Sequence, residues 1–204
     1  MISNDMLISQ GGVIRRVGKN VVIFQEGLSA THLFSVVEGR IKLVSQDDEG
    51  REFLHEILAP GDIFGSYALD KTHHYLATAI ADIESVVVKI EIDNFDKMLS
   101  THPKLLLNFT RILTERLHYK YFISKELALH TPELSLCNLL QFFRVKIKNV
   151  CPTCGKLLLT RQQIANMLGL RVETVIRLMK ILESKQVVTI RGGKVFLSGW
   201  ETKM

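Results

Sequence analysis

Residues 160–182 read Thr160-Arg161-Gln162-Gln163-Ile164-Ala165-Asn166-Met167-Leu168-Gly169-Leu170-Arg171-Val172-Glu173-Thr174-Val175-Ile176-Arg177-Leu178-Met179-Lys180-Ile181-Leu182. Thr160 is a helix N-cap, and Gln163 three residues on completes a capping box. Ile164, Ala165 and Leu168 form a short buried face. Gly169 permits a sharp turn, because positive φ costs glycine little. A second helix then starts near Val172 and buries Val175, Leu178 and Leu182. Two helices joined by a short glycine-containing turn make a helix-turn-helix.

In such a unit the N-terminal part of the second helix enters the DNA major groove. Its outward residues are Glu173, Thr174, Ile176, Arg177 and Lys180. Glu accepts from cytosine N4, and Arg forks onto guanine O6 and N7. Glu173 and Arg177 are four apart, so a surface ion pair is the competing reading, and it would also pre-orient Arg177. Immediately downstream, two β runs surround Gly192-Gly193, which predicts a hairpin over 187–197. This hairpin reads as a wing, with Arg191 and Lys194 at its tip facing phosphate or simply solvent.

Upstream, the bland segment His130-Thr131-Pro132-Glu133 marks a hinge: Thr131 as N-cap, Pro132 in the first turn and Glu133 behind it. The helix it opens carries Leu134, Leu139, Leu140, Phe142 and Phe143. Before the hinge, Pro103 begins a helix of about 25 residues, since no further Gly or Pro interrupts it until Pro132. Leu106, Phe109, Leu113, Leu117 and Tyr121 step by three or four along it, as one apolar stripe. A helix that long outreaches a small domain, so the stripe is both a dimer-seam and a core-face candidate.

Residues 13–92 read as β structure. Runs at 22–24, 33–37, 40–44, 52–58 and 85–92 are rich in Val, Ile and Phe, with turns at Gly27, Gly39, Gly50 and Gly61 between them. Val86, Val88, Ile90 and Ile92 alternate, which predicts a half-buried strand. Many short strands separated by glycine turns suggest a barrel, sandwich or jelly roll. The expected fold class is α+β: an N-terminal β domain over 1–102, a long helix and hinge over 103–130, and a winged helix-turn-helix over 131–204.

Charge follows the same division. The 204 residues carry a net +5. Residues 1–130 hold 14 Lys and Arg against 17 Asp and Glu, whereas residues 131–204 hold 12 against 4. An acidic front and a basic back suggest two jobs, the back one facing phosphate or a membrane surface. No apolar run approaches the roughly 18–20 residues of a membrane span. The N-terminus lacks the pattern of a secretory signal. With three cysteines, an odd number, the expected compartment is a reducing cytosol. Gly-x-Ser-x-Gly, Walker and His-Glu-x-x-His motifs are absent, and no carboxylate pair stands out, so no enzyme is expected.

Taken together, the Thr-Arg-Gln-Gln-Ile-Ala…Leu-Gly…Val-Glu-Thr-Val-Ile-Arg stretch, the long helix and the glycines Gly27, Gly39, Gly61 and Gly65 resemble the cAMP receptor protein/FNR (Crp/Fnr) family of bacterial transcription regulators. The resemblance covers nearly the whole chain. It implies a double-stranded β-helix (a β-roll of cyclic-nucleotide-binding type) followed by a dimerisation helix and a winged helix-turn-helix. It further implies a homodimer through 104–128 on double-stranded palindromic DNA, with RNA polymerase and a small-molecule effector as partners. Glu173 and Arg177 match base-reading positions of the family, and Thr174 a phosphate-contacting one. Val172 stands where the cAMP receptor has a base-reading Arg, and Ile176 where FNR-like members commonly have Ser. Val172 and Ile176 are apolar side chains suited to contact with a thymine methyl. Thr160, Arg161, Arg171, Lys180, Arg191 and Lys194 complete the expected DNA surface.

The effector positions depart from the family. Cyclic AMP binders carry Gly-Glu-Leu and then Arg-Ser-Ala. Here the first motif reads Gly65-Ser66-Tyr67 and the second aligns with Tyr75-Leu76-Ala77. Lys71 is a lone basic residue nearby. Lys120 and Tyr121 stand where the cAMP receptor has its adenine-contacting Thr and Ser. Cyclic AMP in the usual mode is not expected, and the sequence names no cofactor. An FNR-type cluster needs about four thiolates, and no Cys precedes Cys137. Cys151-Pro152-Thr153-Cys154 leaves three readings: half of a metal site, a redox pair or, the leading one, a plain turn. By the same resemblance, haem would look to His73, His74 or His118, and a signal carried by a His or by the Cys151/Cys154 pair is the alternative to a roll-bound effector.

Overall fold

The computed structural model describes residues 2–69, 74–146 and 148–198. The chain divides into two compact units, Met1–His118 and Tyr119–Met204. The division falls inside the long helix.

The first unit opens with α1 (Asn4–Ser9), followed by β1 (Val13–Val17), β2 (Val22–Phe24), β3 (His32–Glu38), β4 (Ile41–Gln46), β5 (Glu52–Leu58), β6 (Ile63–Phe64), a 3-10 turn at Ser66–Leu69, β7 (Thr78–Ala81) and β8 (Ser85–Glu91). The strands form two four-stranded sheets of order β1-β8-β3-β6 and β2-β7-β4-β5, with every pairing antiparallel. One apolar core joins them: Leu33, Phe34, Val36, Val87 and Phe64 from one sheet meet Phe24, Ile41, Leu58, Ala79 and Ala81 from the other. This is the roll. α2 (Ile92–Thr101) adds Phe95, Met98 and Leu99 to the same core.

The alternation in β8 corrects the sequence reading. Val88 and Ile90 are buried as expected, but Val87 is buried too, and Val86 is only half-buried. β8 is central between β1 and β3, with α1 and α2 packed on it. Val87, paired with Val36, faces the roll interior. Val88 pairs with Ser35, whose hydroxyl donates to Asn4 of α1 at 2.7 Å. Both faces of the strand are therefore covered. Ile92 does not extend it; it is the first residue of α2.

α3 runs from Pro103 to Leu129. Its apolar stripe is divided between the roll core and solvent. Stepping by three and four at 3.6 residues per turn, the predicted stripe spreads over about 120° of the helix. Phe109 turns into the roll core, edge-on to Phe95 at 5.2 Å between ring centroids, and Leu113 packs partly against that core. Leu106, Leu117 and Tyr121 remain exposed, at 48%, 54% and 70%.

In the second unit the end of α3 carries buried Tyr119, Ile123 and Glu126. Phe122 stacks on Phe142 of α4 (Pro132–Lys146) at 4.7 Å. α5 (Arg161–Met167), α6 (Val172–Ser184), β9 (Val188–Arg191) and β10 (Lys194–Leu197) follow. Leu136, Leu139, Leu140 and Phe143 pack with Ile164, Ala165, Val175, Leu178, Met179 and Leu182 in the unit's apolar interior. The hinge is polar but satisfied. Glu126, 2% exposed, accepts from Asn138 Nδ2 at 3.0 Å and meets His130 Nδ1 at 2.7 Å. The Ser135 hydroxyl donates to the Glu126 carbonyl at 2.9 Å.

Candidate nucleic-acid interface

The capping box forms as read: Gln163 N–H donates to Thr160 Oγ1 at 3.1 Å, and Thr160 N–H donates to Gln163 Oε1 at 3.0 Å. This fixes the entry of α5. Gly169 has φ +61, a left-handed conformation that an L side chain would strain, and it turns the chain toward α6. Arg171 is the N-cap of α6 and contributes no side-chain cap. Buried Val175, Leu178, Met179 and Leu182 anchor the inner side of α6.

The opposite side is open. Arg171, Glu173, Ile176, Arg177 and Lys180 are exposed, and Val172 and Thr174 are half-exposed. The structure thus brings all seven predicted α6 residues onto one accessible region. The ion pair that the Glu173/Arg177 spacing allows is not formed among the described residues, which leaves the carboxylate and the guanidinium to outside partners.

The wing is the β9–β10 hairpin, with Gly192-Gly193 in its turn and Arg191 paired directly with Lys194 across it. Both basic side chains are exposed. Two ties between the helices and the wing were not legible in the sequence. Arg161 Nη1 donates to the Gly193 carbonyl at 2.6 Å. Glu183 Oε1, at the end of α6, accepts from the Ile190 N–H at 2.8 Å. Only their proximity in space, not any motif, reveals them. A third edge joins the hairpin: Leu157 N–H donates to Val195 O at 2.9 Å and Leu197 N–H to Gly155 O at 3.0 Å.

Residues 14–102 match the cyclic nucleotide-binding domain family and residues 136–201 the Crp-like helix-turn-helix domain family. The chain belongs to the Crp/Fnr family. Among relatives of this Crp/Fnr chain, the cAMP-activated global transcriptional regulator CRP of Haemophilus influenzae is 26% identical over 179 residues, spanning 87% of the chain and 80% of the relative. The regulatory protein HlyX of Actinobacillus pleuropneumoniae is 25% identical over 200 residues, spanning 94% and 81%. Solved structures share the fold. FixK2 from Bradyrhizobium japonicum superposes with a TM-score of 0.79 at 19% identity, covering 93% of each chain. A CooA mutant from Carboxydothermus hydrogenoformans gives 0.78 at 24%, covering 95% and 86%. The Crp/Fnr chain is accordingly a DNA-binding transcription regulator of helix-turn-helix type.

The roll positions named in the sequence do not make the usual nucleotide cradle. Gly65 has φ +81, and a Cβ there would stand 2.9 Å from the His32 carbonyl. Tyr75 is not a free pocket residue. It is 4% exposed and stacks on Phe24 at 3.8 Å. Its hydroxyl donates to His32 O at 2.9 Å and accepts from His32 N–H at 3.2 Å. Phe24, Phe34, Phe64 and Tyr75 together fill the interior. Leu76 points the other way and is exposed, and Ser66 is half-buried. Burial pushes the Tyr67 hydroxyl above its ordinary pKa, with Arg116 and Glu56 close by. Glu56, 4% exposed, meets Arg116 Nε at 3.5 Å. A cyclic phosphate needs cationic or N–H donors, and an aromatic ring with a spent hydroxyl is neither. These residues do not fit a cyclic nucleotide held by Arg and Ser. Lys71 and His73 lie outside the described residues. His74 and His118 are exposed, and Lys120 is half-buried beside exposed Tyr121 on α3.

Proposed function

We propose that the protein is a homodimeric, sequence-specific regulator that binds a two-fold symmetric DNA site and recruits or blocks RNA polymerase in the cytoplasm. The observation that carries the reading is the open face of α6, where Glu173 and Arg177 stand outward between Arg171 and Lys180 and, among the described residues, are not paired with each other. Arg177 forks onto guanine, Glu173 accepts from cytosine, and Val172 and Ile176 meet thymine methyls. Thr160, Arg161, Arg171, Thr174, Lys180, Arg191 and Lys194 serve the phosphates.

Residues 1–102 form the sensor domain, 103–130 the dimerisation helix and hinge, and 131–204 the DNA-binding domain. The seam is the row of exposed Leu106, Thr110, Leu117 and Tyr121, with half-buried Leu113 among them. Thr110 supports this role, because it is exposed and its hydroxyl is already satisfied by donating to the Leu106 carbonyl at 2.9 Å. The effector at the roll is not cyclic AMP, for the reason that Tyr75 stands where the resemblance places the phosphate-binding Arg, and its hydroxyl is already engaged by His32.

Selection of bound duplexes from a random pool, with and without cyclic AMP, tests this. The expected result is a palindromic consensus bound with steep salt dependence and no response to cyclic AMP. Recovery of sequences without symmetry, or none above background at low salt, overturns it.

A further inference from the structure

Cys151 and Cys154 take no part in the interface described above, yet they sit at its edge. The turn 151–155 is closed by Gly155 N–H donating to Cys151 O at 3.0 Å and by Cys151 N–H donating to Lys156 O at 2.8 Å. Inside it, Thr153 Oγ1 lies 3.1 Å from Cys151 Sγ. The two cysteines therefore stand three positions apart on one tight, hydrogen-bonded turn. Cys154 is exposed and Cys151 half-exposed, so both are open to a small reagent. Among the described residues no group of three or more His, Cys, Asp or Glu could hold a metal ion, whereas a closed zinc site takes four ligands.

The turn is also joined to the wing. Gly155, the residue after Cys154, accepts from Leu197 N–H at 3.0 Å, Lys156 bridges to Phe196, and Leu157 donates to Val195. Thr160, the N-cap of α5, follows six positions after Cys154. A covalent change at the turn acts directly on the strand that supports Lys194.

We propose that Cys151 and Cys154 form a dithiol–disulfide couple whose oxidation by a peroxide-class oxidant weakens the wing's hold on DNA. The disulfide half stands alone; the loss of affinity rests on the DNA-binding reading. Cys151 is the attacking sulfur. The Thr153 hydroxyl, then the backbone N–H groups, hold its thiol down at about 6, and the thiolate is the reactive form. It attacks one peroxide oxygen; the O–O bond breaks, and the leaving hydroxide takes a proton to become water. The resulting sulfenic acid is attacked by the Cys154 sulfur. The S–O bond breaks, an S–S bond forms, and a second water leaves with the Cys154 proton. Two thiols and one hydrogen peroxide thus give one disulfide and two waters. Closing that ring demands a defined dihedral about the new bond and displaces the peptide that presents Gly155 O to Leu197.

The experiment uses the reduced full chain treated with hydrogen peroxide. Mass spectrometry follows the tryptic peptide 149–156, which carries both cysteines, and DNA binding is titrated in parallel. The expected result is loss of two hydrogens from that peptide with Cys137 still alkylatable. DNA affinity falls about fivefold or more, the lower range of coupling between sites, and dithiothreitol restores it. Cys151→Ser and Cys154→Ser bind DNA like the reduced protein and ignore peroxide. A peptide that stays dithiol or passes to sulfinate, or stoichiometric zinc shielding both thiols, overturns the couple. A disulfide without change in affinity, or peroxide sensitivity retained in Cys154→Ser, overturns its link to the wing. If the reduced chain binds no DNA, the DNA-binding reading fails, while the peptide mass still decides the disulfide.

Discussion

The Arg161 guanidinium donates to the Gly193 carbonyl at 2.6 Å, so the first residue of α5 holds the tip of the wing across 32 positions of sequence. Arg161 is thereby partly committed inside the protein, and its proposed phosphate contact is made from a fixed position. Arg161→Ala is expected to speed amide exchange at Gly193 and Lys194 and to weaken DNA binding with no change in the preferred sequence. A hydrogen bond from a charged donor contributes roughly 1.5–3 kcal/mol when shielded, and less at this exposed tip. Amide exchange by mass spectrometry, beside a titration with duplex, is the check. An unchanged exchange rate would sink the idea.

Arg177 and Lys194 should differ in kind. Arg177→Ala is expected to cost about 1–3 kcal/mol of binding and to relax preference at one base pair, whereas Lys194→Ala should weaken all sequences alike and reduce the salt slope by about 1. Affinities for a set of single-base variants at several salt concentrations separate the two.

The capping box supports α5 locally. Thr160→Ala should destabilise the second unit by about 1 kcal/mol, and Thr160→Ser should restore most of it. Denaturant unfolding followed at each variant measures this. Equal stability of Ala and Ser variants would contradict the cap.

Glu126 is buried at the hinge and has two side-chain partners, His130 and Asn138. Removing a buried acceptor leaves its donors unsatisfied, at about 1–3 kcal/mol. Glu126→Ala should therefore lower the thermal midpoint, and Glu126→Gln should lower it less because one acceptor oxygen remains. Calorimetry of both variants decides.

The Cys151 thiol lies below its ordinary pKa, at about 6, chiefly through the Thr153 hydroxyl. A depressed acid is stabilised in its ionised form, so that contribution is present above the ordinary thiol range and is lost as pH falls through about 6. Alkylation at Cys151, read by peptide mass, should rise with a midpoint near pH 6. Thr153→Val should move the midpoint upward; a midpoint unchanged by that substitution would refute the role of the hydroxyl.

Local chemistry carried much of the architecture. Thr160 and Gln163, Gly169, Pro103 and Pro132, and the Gly192-Gly193 turn each act within a few residues, so the helix starts, the sharp turn and the hairpin were readable in one dimension. The outward α6 residues followed from the same 3.6-residue period. β8 was misread because periodicity reports one buried face, and nothing local says that α1 and α2 cover the other. The stripe of α3 left core face and seam both open for a similar reason: Phe109 and Leu117 look alike in sequence, and only the position of Phe95 draws the former inward.

By itself the sequence determined a chain with an acidic, turn-rich β front, a long helix and a basic helix-turn-helix with a wing, because propensity, capping and periodicity are short-range effects. Tertiary structure alone decided that Tyr75 is spent on Phe24 and His32, that Arg161 and Glu183 brace the wing, and that the Cys151–Cys154 turn is bonded to the strand carrying Lys194. Those facts depend on which distant residues share a hydrogen bond or a core, and such partners are set by packing in three dimensions.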